Sequence, residues 1–123
     1  MHPRNVVLLQ SDREIAQSLA FALSKSFHSV HQVETMDELR NSVGKHRAKL
    51  AILDLEKVSL SEVERLATEF PAFSIVCTHR CADEEMWSSA LKSGARDVYF
   101  SDDVQGIVQA AVADQAETRS AAA

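Results

Sequence analysis

Five short apolar runs alternate along this chain with segments whose apolar residues recur at helical spacing, and that alternation constrains the fold to a parallel α/β sheet. Val6, Val7, Leu8 and Leu9 form a solid apolar run, the pattern of a strand covered by helices on both faces. Ile15, Leu19 and Leu23 follow at steps of four, which predicts an amphipathic helix over residues 12–26. The second strand, 29–33, alternates instead of running solid. Thr35 with Glu38 then supplies a capping box, Met36, Leu39 and Val43 give a buried stripe, and Gly44 is placed to end that helix.

The third strand covers residues 50–53 and carries Asp54 at its carboxyl end. Ser59 or Ser61 caps the next helix, each with a Glu three residues on; Val63, Leu66 and Phe70 point inward and Pro71 ends the unit. Residues 73–77 form the fourth strand, ending at Thr78. A helix over 83–93 stops at Gly94, and 97–100 is the fifth strand. Val104, Ile107, Val108, Ala111 and Val112 make the last apolar stripe. Beyond Ala116 the residues turn small and polar, so the expected domain is 1–117, with 118–123 a tail or the start of a linker.

A chain of 123 residues suits one domain with a real core. Its net charge of −5 lacks the basic clusters of a nucleic-acid or membrane-surface binder. No apolar stretch has the length of a signal sequence or a membrane span, which points to the cytoplasm. Cys77 and Cys81 fit a reducing compartment. A zinc reading of Cys77, Cys81, His28 and His31 is disfavoured, because no second ligand pair stands at finger spacing and Cys77 falls on the core face of its strand.

Chemistry in a doubly wound sheet gathers at the carboxyl ends of the strands, near the switch in strand order. The residues placed there are Gln10, Ser11, Asp12, Asp54, Thr78, His79 and Ser101.

Three stretches carry a family resemblance. They are Val6 to Ile15 (VVLLQSDREI), Leu50 to Leu55 (LAILDL) and Ala90 to Ala95 (ALKSGA). In this order and spacing the chain resembles the receiver domain of bacterial response regulators, the CheY-like, flavodoxin-like (βα)5 fold, with implied strand order 2-1-3-4-5. The resemblance implies that Asp54 is the phospho-accepting carboxylate and Thr78 the switch hydroxyl. It implies Mg²⁺ held by Asp12, Asp54 and the backbone carbonyl of Glu56. It also implies partners: a histidine kinase, a phosphotransfer protein or an output domain, with a homodimer through the face made by the fourth helix, fifth strand and fifth helix. Trp87 opens that fourth helix and is a natural contact residue.

Departures from the family pattern are concentrated in the pocket. The acidic pair falls on Gln10 and Ser11, and Asp12 stands where it can cap the first helix. The lysine position falls on Ser101, with Asp102 in place of the usual proline. The aromatic position falls on Val98, leaving Tyr99 on the opposite face. His79, Arg80 and Lys57 are the candidate replacement cations. Mg²⁺ dehydrates reluctantly and wants anionic oxygens, so its binding is expected to be weak. The expected function is an atypical receiver-like module of a two-component or phosphorelay system. It would act by protein–protein contact, with Asp54 phosphorylation weak or absent. The alternative is a conventional phospho-acceptor with a rearranged metal and cation site. A phosphatase reading of Asp54 and Glu56 lacks a general acid, so no enzyme is expected.

Overall fold

The computed structural model describes residues 5–122, with side chains through Asp114; residues 1–4 of the expected domain and residue 123 of the expected tail lie outside it. Strands and helices alternate as β1 (Asn5–Leu9), α1 (Arg13–Leu23), β2 (Ser29–Val33), α2 (Met36–His46), β3 (Leu50–Asp54), α3 (Leu60–Glu69), β4 (Ser74–His79), α4 (Glu84–Lys92), β5 (Asp97–Phe100) and α5 (Val104–Ala122). The strands form one parallel sheet in the order β2-β1-β3-β4-β5, the flavodoxin-like arrangement expected.

Alternation of side chains along the central strands divides the core into two layers. Val7, Leu9, Ala51, Leu53, Ile75 and Cys77 pack with Met36, Leu39 and Val43 of α2, Val63 and Leu66 of α3, and Ala90 of α4. Val6, Leu8, Leu50, Ile52 and Val76 pack with Ala16, Leu19 and Leu23 of α1 and with Ile107 and Ala111 of α5. Every residue of β3 is buried, as the middle strand of a doubly covered sheet requires.

The caps fix where the helices begin. Asp12, Thr35, Ser59 and Asp83 each accept a hydrogen bond from a backbone N–H in the first turn, and Ser59 with Glu62 forms the full capping box. One expected stop is displaced. Gly44 does not end α2, which runs on to His46 and is capped by Arg47 in the left-handed region at φ 52°. Nothing within 4 Å would crowd a side chain at Gly44, so that glycine answers no need for a turn. Gly94 does answer one. Its φ is +112°, and a Cβ there would lie 2.7 Å from that of Ala67, so the turn into β5 brings α4 close to α3.

At the far end of the chain, the segment expected as a tail from 118 is helical backbone as far as Ala122. Asp114 on α5 is buried, accepts from the Ser74 hydroxyl at 2.7 Å and forms an ion pair with Arg96 at 3.3 Å, tying the helix to β4 and to the turn before β5. Among the described residues, no helix is long and apolar enough to cross a membrane.

Candidate functional site

Parallel pairing brings the strand tips level. Leu9 lies opposite Leu53, Asp54 opposite Thr78, and Thr78 opposite Tyr99. The chain leaves each tip with one more backbone bond across the sheet: the Leu55 N–H donates to the Thr78 carbonyl and the Ser101 N–H to the His79 carbonyl. Asp54, Thr78 and Ser101 are all fully buried, which makes them the polar residues of an otherwise apolar layer. A buried polar group needs a partner. Where each one finds its partner defines the site.

Asp54 finds three. Its Oδ2 accepts from both the backbone N–H (3.0 Å) and the hydroxyl of Ser11, and its Oδ1 accepts from the Glu56 N–H at 2.9 Å. Both oxygens are therefore engaged by donors of the chain itself. Thr78 is tethered to the β1 side as well. The Gln10 amide donates to its Oγ1 at 3.2 Å, while the Gln10 oxygen accepts from the Asp12 N–H. Asp12 caps α1 by accepting from the Ile15 N–H at 3.1 Å.

Beside this network lies a cavity of about 220 Å³ lined by Gln10, Ser11, Asp12, Ile15, Glu56, Arg80 and Ser101. Arg80 donates to Glu56 at 2.8 Å, and this bond raises the guanidinium pKa above its ordinary value. The Ser101 hydroxyl is buried and has no hydrogen-bond partner among the described residues. One side of the pocket is crowded with donors, while the other holds a hydroxyl with nothing to bind.

The residues do not suit Mg²⁺. A divalent ion needs oxygens that donate lone pairs, whereas Ser11 turns both its N–H and its O–H toward Asp54. Gln10 has its oxygen and its amide engaged. Asp12 remains at the pocket wall but holds the helix cap. Glu56 enters through its backbone N–H to Asp54, and its carboxylate pairs with Arg80. Asp12 and Glu56 line the cavity and Asp54 lies behind Ser11, with one oxygen of Asp12 in the helix cap, one of Glu56 on Arg80 and both of Asp54 on donors of the chain.

Other expected site residues lie elsewhere. His79 accepts from the Cys81 N–H through Nδ1 and does not line the cavity; the pocket cation is Arg80, and Lys57 also stays outside. Tyr99 packs on the α1/α5 layer and Val98 on the opposite one, because successive strand residues face opposite ways. Burial, followed by the nearby Asp97, raises the Tyr99 pKa. Trp87 is 45% exposed on α4, and its indole N–H donates to Asp97 at 2.9 Å. Phe100, at 52% exposure, opens onto solvent at the end of β5. Cys77 is buried and its thiol is pushed up to about 12 by desolvation, so it behaves as a core residue.

Ser11 is the functional residue that sequence reasoning undervalued. The sequence places it at a strand tip, where it stands in for a missing acid, whereas in the fold it is the principal donor to Asp54. Only the level alignment of β1 and β3 makes that visible.

No protein-family model matches the chain, and no curated protein matches it. Solved structures do. A CheY-like protein (tadZ) from Pseudomonas aeruginosa aligns over 89% of this chain and 93% of its own, with 21% identity and a TM-score of 0.71. A response regulator from Thermotoga maritima aligns over 92% and 99%, with 20% identity and a TM-score of 0.76. A third structure, of an atypical orphan response regulator described as having a phosphorylation-independent regulatory mechanism, aligns over 85% and 89%, with 17% identity and a TM-score of 0.75. At these identities the likeness is one of fold: this chain has the CheY-like receiver fold.

Proposed function

We propose that this domain is a receiver-like signal-transduction module of a two-component or phosphorelay system that works by protein–protein contact, with phosphorylation of Asp54 weak or absent. The observation that carries the reading is that Ser11 and the Glu56 N–H place three donors on the two oxygens of Asp54. An attacking carboxylate needs a free lone pair and a counter-charge for the incoming phosphoryl group. Here both oxygens already accept from donors of the chain, and Mg²⁺ finds no donor set able to offset its dehydration. Mg²⁺ binding is accordingly weak. The neighbour described as regulating independently of phosphorylation supplies a precedent on the same fold.

Contact then has to carry the signal. The face made by α4, β5 and α5 presents Trp87 and Phe100 to solvent and suits an output domain, a histidine kinase or phosphotransfer protein, or a second copy of the chain. The domain is not an enzyme in this reading. It binds no nucleic acid or membrane itself, and it resides in the cytoplasm.

A second reading keeps Asp54 as a conventional acceptor, and one observation favours it: Arg80 lines the same cavity and could supply the missing cation if it left Glu56. The two readings part in one experiment. The protein is incubated with Mg²⁺ and a small phosphodonor, and its intact mass is measured. The contact reading expects no stoichiometric phosphoryl increment. An increment that Asp54→Asn abolishes rejects it in favour of the Arg80 reading.

A further inference from the structure

The Ser101 side of the pocket is the part that internal hydrogen bonding leaves incomplete. Ser101 is 1% exposed, its hydroxyl has no partner among the described residues, and it lines a cavity of about 220 Å³. A buried hydroxyl in that state costs free energy that a ligand atom would recover. Everything else lining the cavity describes that ligand.

Charge sets its sign. Asp12 and Glu56 line the cavity against one guanidinium, Arg80, which Glu56 already holds at 2.8 Å. Asp54 lies buried just behind Ser11, and Asp102 and Asp103 follow Ser101 in the chain. The balance is negative, so the cavity favours a cation.

Donor geometry sets its kind. Asp12 and Glu56 offer carboxylate oxygens and Ser101 a hydroxyl oxygen, a set matched by the three N–H donors of a primary ammonium. The third requirement is an apolar path for whatever carries the charge, and Ile15 provides that wall. Long ammonium side chains bury methylenes along such surfaces while the head reaches polar partners.

We infer that this cavity is a receptor for a primary alkylammonium group, supplied by the ε-ammonium of a lysine on a protein partner. The proposal rests on the contact-module reading only for the source of the group; the preference for ammonium stands on the cavity itself. A partner lysine would enter past Ile15, donate to Ser101, Asp12 and Glu56, and restore a positive charge beside Asp54. The interaction would therefore reach the strand tips directly, without phosphoryl transfer.

The test is an NMR titration of the full chain, following the backbone amides of Gln10, Asp12, Glu56 and Ser101. The probes are n-butylammonium, its N,N,N-trimethyl analogue, and a neutral-capped pentapeptide with one central lysine. Saturable shifts with butylammonium and with the lysine peptide, and none with the trimethyl analogue, are expected. Asp12→Asn, which keeps a cap-forming oxygen, should weaken both by about ten-fold, the loss of one charge-assisted contact. Ser101→Lys, which places an ammonium in the cavity from the chain itself, should abolish both; should it fail to fold, Ser101→Val serves the same end by filling the cavity with methyls. Binding of butylammonium alone would overturn the partner-lysine assignment. No saturable binding by either amine, or equal binding of the trimethyl analogue, would overturn the site. These outcomes are independent of the phosphoryl-increment experiment, so failure of the site and failure of the contact-module reading are told apart.

Discussion

The β1/β3 tip and the β4/β5 tip of this sheet face the same pocket, yet they treat their buried polar groups in opposite ways. At the first, one carboxylate receives three donors: the Ser11 N–H, the Ser11 hydroxyl and the Glu56 N–H. At the second, the Ser101 hydroxyl receives none among the described residues. Such a difference teaches where the domain is fixed and where it can respond. A carboxylate held on both oxygens resists any ligand that must displace its donors, because removing one partner exposes the full desolvation cost of the other. An unpartnered hydroxyl has nothing to lose and something to gain.

Stability measurements can break that contrast. Asp54→Ala removes the acceptor that organises the first tip and leaves its three donors to find others; the expected loss is about 3 kcal/mol, read by chemical denaturation. Ser11→Ala removes only the hydroxyl bond to the carboxylate, with the backbone bond kept, and should cost about 1.5–2 kcal/mol. If Ser11→Ala costs nothing, the hydroxyl is not holding Asp54 and the contrast collapses. Ser101→Ala deletes a group with no bond to lose, so its effect should stay within about 0.5 kcal/mol of zero or stabilise slightly. A loss as large as that of Ser11→Ala would mean that Ser101 has a partner after all.

Acid sensitivity should arise at an edge of the sheet. At the amino edge of the sheet, His31 stacks on His46 with ring centroids 3.7 Å apart. The Asn5 amide donates to the His46 carbonyl, so its oxygen accepts from Ser29, and His31 Nε2 is left to donate to the Ser29 hydroxyl at 2.9 Å. Burial first, then the charges of His46, His28 and Lys45, lowers the His31 pKa from its ordinary 6.5. The folded state therefore prefers the neutral ring. Its contribution to stability is whole above about pH 6.5 and falls away as pH drops below that value toward the lowered one. The thermal midpoint of wild type should decline more than that of His31→Gln between about pH 7 and pH 5. An equal decline in both proteins would remove His31 as the source.

What the sequence revealed and what it hid divide along the same line. The placement of Asp54 and Thr78 at strand ends, the helix caps at Asp12 and Thr35, and the opposite facing of Val98 and Tyr99 follow from local pattern, whereas the strand order came only from the family resemblance. The end of α2 was misplaced because a glycine marks a stop only where the backbone needs its freedom, and here Arg47 adopts the left-handed turn instead. The continuation of α5 to Ala122 was obscured by small residues, which read as a tail in composition yet include alanine, the best helix former. The role of Ser11 was hidden for a deeper reason. A hydroxyl can donate or accept, and which it does depends on the group 43 residues away that the register sets beside it.

The central claim is that donors of the chain occupy the place at Asp54 where a metal would need acceptors, and one substitution puts it directly to the test. Ser11→Asp exchanges the donor for a second carboxylate, so the thermal midpoint of that variant should rise with added Mg²⁺ while that of the wild type stays level. A wild-type midpoint that climbs with Mg²⁺, saturably and as steeply as the variant's, would contradict the account.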